Sequence, residues 1–238
     1  MKILLCLLLF SSIVFAEENT MDFDFGVKAG LIYGGPIPTI FLENLTFTPL
    51  LGPHFGVYCN YKVNDRITLQ PEISISLKGA NYDTFYRRDT IVETEIDGVT
   101  GLVPTFYTAM IKGDMALFYI DIPVFLNYKI SEKFDLSAAA QISYLIGGKN
   151  DINARVIVGE GGFYDDLKKY YDNYGFLNSL DFAFCLGASY LLSERFSITA
   201  YGTRAITPLY KDSFKTDKEL DAGKMYHTDF ILALVYRF

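Results

Sequence analysis

Alternation with a period of two runs through this chain. Between Arg66 and Lys78, the residues Ile67, Leu69, Pro71, Ile73, Ile75 and Leu77 share one parity, and Thr68, Gln70, Glu72, Ser74, Ser76 and Lys78 share the other. Successive side chains of a β-strand point to opposite faces, so the pattern predicts a strand with one apolar and one polar face. A helix would scatter both sets around its circumference. Phe118 to Ile130 repeats the pattern, with Tyr119, Asp121, Asn127 and Lys129 on the polar side. Phe230, Leu232, Leu234, Tyr236 and Phe238 repeat it again, opposite Asp229 and Arg237. Weaker versions cover about 23–34, 53–63, 133–146, 181–192 and 195–207, which brings the expected strands to eight.

The expected connections alternate in length. Asn64-Asp65, Ser131-Glu132 and Ser193-Glu194 are tight polar turns, and each sits in one repeated phrase: an aromatic (Tyr61, Tyr128, Tyr190), two residues, a polar–acidic pair, a base (Arg66, Lys133, Arg195), then an apolar residue. The final Tyr236-Arg237-Phe238 is the same phrase cut short. Long connections rich in Gly, Pro, Asn, Asp and Tyr are expected at about 35–52, 79–114, 147–179 and 208–225. Short turns at one end and long loops at the other predict an all-β fold, an eight-stranded antiparallel up-and-down transmembrane β-barrel with periplasmic turns and extracellular loops. Tyr61, Tyr128, Tyr190 and Tyr236 then form a girdle at the periplasmic interface.

Parity alone leaves the direction of the faces open. A soluble lipocalin-like barrel that binds an apolar ligand would turn the apolar face inward. Three features favour a membrane barrel. The polar parity carries few charges, Lys28, Glu72, Asp121 and Arg237 among them; the apolar parity is almost free of charge along the strand centres; and the last strand closes on an aromatic. The inward set then includes Lys28, Tyr58, Asn60, Glu72, Ser74, Asp121, Asn127, Gln141, Ser143, Tyr201, Asp229 and Arg237. Arg204 breaks the rule: it shares parity with Phe196, Ile198 and Ala200, so it faces lipid headgroups at the outer end or turns inward at a bulge.

Met1-Lys2, the apolar run from Ile3 to Phe10 and the small residues near Ala16 read as a signal peptide over residues 1–16, leaving 17–238 as the barrel domain. Cys6 lies too early to be a lipoprotein acceptor. Cys59 points outward and Cys185 inward, which argues against a disulfide. The net charge of −7 argues against a nucleic-acid partner.

Leu69-Gln70-Pro71-Glu72-Ile73-Ser74 with Lys78-Gly79-Ala80 resembles the third strand of the PorT-like outer-membrane β-barrel family of Bacteroidota, and Tyr119-Ile120-Asp121-Ile122-Pro123-Val124 resembles its fourth. Ala200-Tyr201-Gly202-Thr203-Arg204 is similar to the seventh, less closely, and Val235-Tyr236-Arg237-Phe238 to the closing strand. The resemblance implies fold and compartment. It also implies an outer-membrane lipid environment and recognition of the last aromatic by the barrel-insertion machinery. A few relatives are linked to secretion or gliding machinery, and nothing in these residues singles out that role.

No catalytic, cofactor-binding or metal-binding residues emerge. Eight strands enclose a lumen filled by side chains, so its polar groups are expected to hold the barrel together rather than form an ion path. His54 and His227, the only histidines, are expected at the exposed outer rim. A rim-active enzyme on lipid or peptide would pair one of them with a carboxylate such as Asp229, but no recognisable nucleophile accompanies them. The stretch 160–175 carries Asp165, Asp166 and Asp172 among five aromatics, with a short helical turn expected over 165–171. It offers partner contact, weak calcium binding, or packing over the barrel mouth. The expected protein is a non-enzymatic outer-membrane barrel that acts through long loops, in envelope structure or on a ligand or envelope protein.

Overall fold

The computed structural model describes residues 23–38, 47–96, 99–158, 163–166, 177–211 and 225–238, with the backbone alone at 38, 84–96, 99–100, 102–111, 152–158 and 163–166. The expected signal peptide lies outside these residues, as does most of the 160–175 stretch. Nine strands form one sheet: β1 (Phe23–Pro38), β2 (Phe47–Lys62), β3 (Ile67–Ile96), β4 (Val99–Lys129), β5 (Phe134–Val158), β6 (Phe163–Asp166), β7 (Leu180–Leu191), β8 (Phe196–Ala205) and β9 (Met225–Arg237). All pairings are antiparallel. β1 pairs with both β2 and β9, and β4 with both β3 and β5, so every strand except β6 belongs to a closed ring of eight. β6 adds to the outer part of β5, where Val158 pairs with Phe163.

The register fixes the barrel's width. The ladder from Phe23 passes through Tyr61, Leu69, Leu126, Ala138, Leu186, Gly202 and Phe230 and returns to β1 at Tyr33, ten residues along. A stagger of that size over eight strands tilts them by roughly 40° and leaves a bore only wide enough for side chains.

The three short turns are copies of one another. Val63 and Asn64 both donate to the carbonyl of Ile67, Ile130 and Ser131 to that of Phe134, and Leu192 and Ser193 to that of Phe196. The first polar residue of each turn also accepts a backbone N–H: Asn64 Oδ1 from Ile67 at 2.9 Å, Ser131 Oγ from Lys133 at 3.3 Å, Ser193 Oγ from Phe196 at 3.2 Å. Short side-chain acceptors satisfy turn amides in this way, which explains the repeated phrase.

Outward faces are apolar. Val57, Ile75, Leu186 and Leu232 are each at least half exposed, while Glu72, Ser76 and Asp121 on the opposite parity are nearly inaccessible. This arrangement is the reverse of the lipocalin alternative. From Tyr61 up to Leu51 the outward side spans about ten residues, roughly 25 Å along the barrel axis, the height of a lipid-facing band. Cys59 is partly exposed and Cys185 buried, both free. Arg204 faces outward at the upper edge of the band. β8 runs there without a bulge, and the guanidinium hydrogen-bonds Thr228 Oγ1 and lies 5.5 Å from the centroid of Tyr226.

Two expectations need correction. The 79–114 connection is mostly strand: β3 and β4 continue as a hairpin in which Ile96 pairs with Val99, leaving only Asp97-Gly98 between them. Asp-Gly is among the strongest hairpin signals, and it outweighs the loop-like composition around it. The 35–52 connection shrinks likewise, to 39–46 between β1 and β2, and the 147–179 connection is split by β6 into 159–162 and 167–179, whereas the connection between β8 and β9 keeps its length at 206–224. Asp165 and Asp166 belong to β6, not to a helical turn. The lengthened β5 carries a bulge where Phe118 pairs with Gly147 and Tyr119 with Leu145. Gly148 follows at φ +145°, where a Cβ would come within 2.2 Å of the Ala116 carbonyl oxygen.

Leu232 lies near mid-height of the band. Leu232→Lys is expected to destabilise the bilayer-inserted barrel by about 2–4 kcal/mol, and Leu51→Lys at the upper edge by about 0–1 kcal/mol, in denaturant unfolding from vesicles. Equal costs would contradict the depth assignment.

Candidate functional site

The polar groups of the structure converge in the lumen. Its periplasmic end is a shallow cleft lined by Gln70, Asn127, Ser137, Ser189, Thr199 and the Lys28–Phe125–Tyr201 floor, with about 10 Å³ of room, the space of roughly one water. Asn127 donates to Gln70 at 2.8 Å, and Ser189 bonds Thr199. Gly26 makes space here for Tyr58, whose hydroxyl would lie 2.3 Å from a Cβ at that position.

Above the floor lie two ion pairs. Lys28 Nζ donates to Glu72, and its ammonium also lies 5.1 Å from the ring centroids of both Phe125 and Tyr201. Lys78 Nζ donates to Asp121 Oδ1 at 2.8 Å and lies 4.9 Å from the ring centroid of Tyr119. His54 and Ser76 join the pairs: His54 Nε2 is 3.5 Å from Glu72 Oε1 and 3.2 Å from the Tyr201 hydroxyl, His54 Nδ1 is 2.8 Å from Ser76 Oγ, and Ser76 donates to Asp121 Oδ2 at 2.6 Å. Gln141 donates to Ser143 at 2.9 Å and accepts from the Cys185 thiol at 3.4 Å. A polar network therefore runs from Lys28 to Cys185 across β1, β3, β2, β4, β5 and β7, with Glu72 meeting His54 through that 3.5 Å ion contact and Gln141 donating to Asp121 Oδ1 at 3.4 Å.

Higher still, Asp229 accepts from Thr203 at 3.3 Å, Asp181 is buried nearby, and His227 Nε2 is 3.3 Å from the Tyr119 hydroxyl. An apolar cap lies over the outer end. Leu177 and Leu209, from the segments before β7 and after β8, pack on Ala80, Tyr82, Met115, Leu117 and Tyr119. Those segments are tied together by Asn178, whose N–H donates to Leu209 and whose side chain donates to Pro208, at 2.8 and 2.7 Å.

Ser76, His54 and Glu72 together have the composition of a hydrolytic triad, but their hydrogen bonds run the wrong way. The single hydroxyl proton of Ser76 goes to Asp121, so His54 Nδ1 must donate to Oγ and cannot act as its base. Ser76 is also wholly inaccessible. Among the described residues, no group of three or more His, Cys, Asp or Glu is placed to hold a metal ion.

Most of the expected inward residues are buried in the lumen. Asn60 and Asn127 are half-buried at its lower end, and Arg237 is largely solvated there, with Nη1 3.6 Å from Asp24. The histidines are corrected: His54 and His227 are 1% and 3% exposed, inside the lumen and not on the rim. The strands run well past the expected ends, so residues placed at the mouth lie beneath the cap. Ser76, Lys78 and Tyr119 are buried with them, on the polar parity of β3 and β4, and so are Asp181 and Thr203, which the sequence did not single out. The parity of β3 already pointed Ser76 and Lys78 inward with Glu72; the pairing of Lys78 with Asp121 had no local signal.

A family model described as outer membrane protein beta-barrel domain matches residues 15–211. The chain belongs to that family. This places it in the outer membrane, with its apolar band in lipid. No curated protein matches the chain. Among solved structures it is similar to Neisserial surface protein A, at 11% identity and TM-score 0.43, covering 90% of this chain and 97% of that one. It is also similar to Ail, the attachment invasion locus protein of Yersinia pestis, at 13% identity and TM-score 0.42, covering 92% and 100%. A third is the E. coli outer membrane protein W, at 17% identity and TM-score 0.35, covering 92% and 100%.

Glu72→Gln leaves the Lys28 charge buried without its partner and is expected to cost about 3–5 kcal/mol in unfolding free energy. The double change Lys28→Met with Glu72→Leu should cost much less. A single change as mild as the double one would show that the pair is not desolvated.

Proposed function

We propose that this is a non-enzymatic outer-membrane barrel whose lumen is a structural core and whose working surface is the sheet beyond the bilayer. The β3–β4 hairpin carries this reading. Above the pairing of Phe47 with Tyr82, β3 continues from Asp83 to Ile96 with β4 as its one partner among the described residues. That is about 45 Å of strand whose other backbone edge meets no described strand, a template for another chain. β5 extends the same sheet from the other side as far as Val158, and β6 adds to it. A protein that only filled space in the bilayer would have no use for this projection. The filled lumen supports the same reading, because it offers neither a water column nor an accessible nucleophile. The occupant of the surface is an envelope protein or an external ligand.

The PorT-like affiliation is the finer family reading. It is supported by where its two best motifs fall: the acids Glu72 and Asp121 are the ones that neutralise Lys28 and Lys78. A signal peptide over residues 1–16 agrees with a family match that begins at residue 15. Recognition by the insertion machinery is supported by the closing strand. Phe238 donates its N–H to Phe25 at 3.0 Å and packs edge-on against Tyr236 with centroids 5.6 Å apart.

Deleting residues 84–111 should leave a folded barrel that no longer captures partners from envelope fractions or external ligands. Neither form should pass discrete current steps in planar bilayers. A deletion that folds and keeps every partner would remove the hairpin from the function, and steady channel conductance would overturn the filled lumen. Deleting Phe238 is expected to lower the amount in the outer membrane several-fold while refolding into pure lipid vesicles is little changed. Equal losses in both would make the residue structural instead.

A further inference from the structure

A base follows each periplasmic turn, outside both the lumen network and the projecting sheet. Arg66, Lys133 and Arg195 occupy the same position in three copies of one turn, and in each copy the base's carbonyl accepts from the neighbouring strand: from Lys129 at 2.8 Å, Leu191 at 2.8 Å and Arg237 at 2.9 Å. In two of the three copies the side chains meet as well. Arg66 Nη1 donates to the Tyr128 hydroxyl at 3.4 Å, and Arg195 Nη1 to the Tyr236 hydroxyl at 3.3 Å. Lys133 stands beside Tyr190, which pairs with Phe134. These tyrosines lie on the outward parity, directly below the lipid-facing Leu126 and Leu234.

None of the three bases makes an ion pair among the described residues. The acid of the first turn, Asp65, is engaged by Lys62 at 3.5 Å. A chain of net charge −7 thus keeps three exposed cations without carboxylate partners in one plane, at the lower edge of its lipid band. Tyrosine hydroxyls favour the headgroup level of a bilayer. A guanidinium has five N–H donors in a planar fork suited to phosphate, and only one is used on the tyrosine.

We propose that the base–tyrosine pairs Arg66–Tyr128, Lys133–Tyr190 and Arg195–Tyr236 are binding sites for the headgroup phosphates of phospholipids in the periplasmic leaflet. Each base supplies the charge. Each tyrosine holds the base at headgroup height and presents its ring to the first acyl carbons. The fourth seam, between β1 and β2, has Tyr61 against Phe23 with ring centroids 5.6 Å apart and no turn to supply a base, so it is not a site.

The test uses the full chain refolded in detergent, with short-chain phosphatidylglycerol as probe and the matching diacylglycerol, which lacks phosphate, as its control. Retained lipids are counted by native mass spectrometry, and heat-modifiable gel mobility confirms folding. The wild type should retain phosphatidylglycerol in preference to diacylglycerol. Affinity should fall roughly fivefold for each base removed in the series Arg66→Gln, Lys133→Gln, Arg195→Gln. Tyr128→Phe with Tyr236→Phe, which keeps the rings and frees the guanidinium groups, should cause a smaller loss. Lys112→Gln with Lys149→Gln, on the opposite side of the barrel, should change nothing. Three outcomes would overturn the proposal: unchanged retention in the triple variant, which would leave the bases to solvent or a periplasmic protein; equal retention of diacylglycerol; or an equal loss from the Lys112 and Lys149 changes.

Discussion

A strand can cross a bilayer only if each backbone N–H and C=O finds a partner within the protein, since the hydrocarbon offers none. The pairing of β1 with β9, from Gly26–Arg237 to Pro38–Met225, meets that requirement, and the rest of the structure depends on it. Closure at eight strands with a stagger of ten sets a bore that side chains fill. The filled bore in turn forces the polar parity of every strand into one small volume. That volume is far from bulk water, so each buried ammonium lies against a carboxylate with donors around it. Lys28 with Glu72, Lys78 with Asp121, and the His54–Ser76 link between the pairs follow from the width of the ring.

The same constraint separates the two ends of the molecule. Within the bilayer the outward positions are uniformly apolar and the inward ones are locked together. The surfaces that face water therefore lie where the strands leave the lipid. On the outer side β3, β4 and β5 continue as a projecting sheet, and the cap of Leu177 and Leu209 divides it from the lumen. On the periplasmic side the turns are minimal, and what is exposed there is a plane of bases and tyrosines. One barrel thus presents an extended backbone surface to the outside and an electrostatic one to the inner leaflet.

The repeated turn phrase shows how much local sequence can carry. Its polar first residue caps turn amides, its base reaches the tyrosine of the next strand, and its aromatic marks the interface. All three roles act over a few residues or one strand pairing, so the turn hydrogen bonds recur in all three copies and the base–tyrosine contact in the two that carry arginine. The Asp97-Gly98 step carried the same kind of information and was obscured by a Gly-, Thr- and Tyr-rich setting.

Sequence by itself determined the eight strands of the ring, their parity, the short-turn end and the apolar character of one face, because side-chain alternation and turn chemistry are local. It also placed Glu72, Asp121 and Lys28 on the polar face. Only the tertiary structure decided that this face is the inner one, which cation meets which acid, and that His54 and His227 lie beneath a cap instead of on a rim. Those outcomes depend on the stagger of the closed ring, which brings together residues as far apart in the chain as Tyr119 and His227, and alternation along one strand holds no record of it.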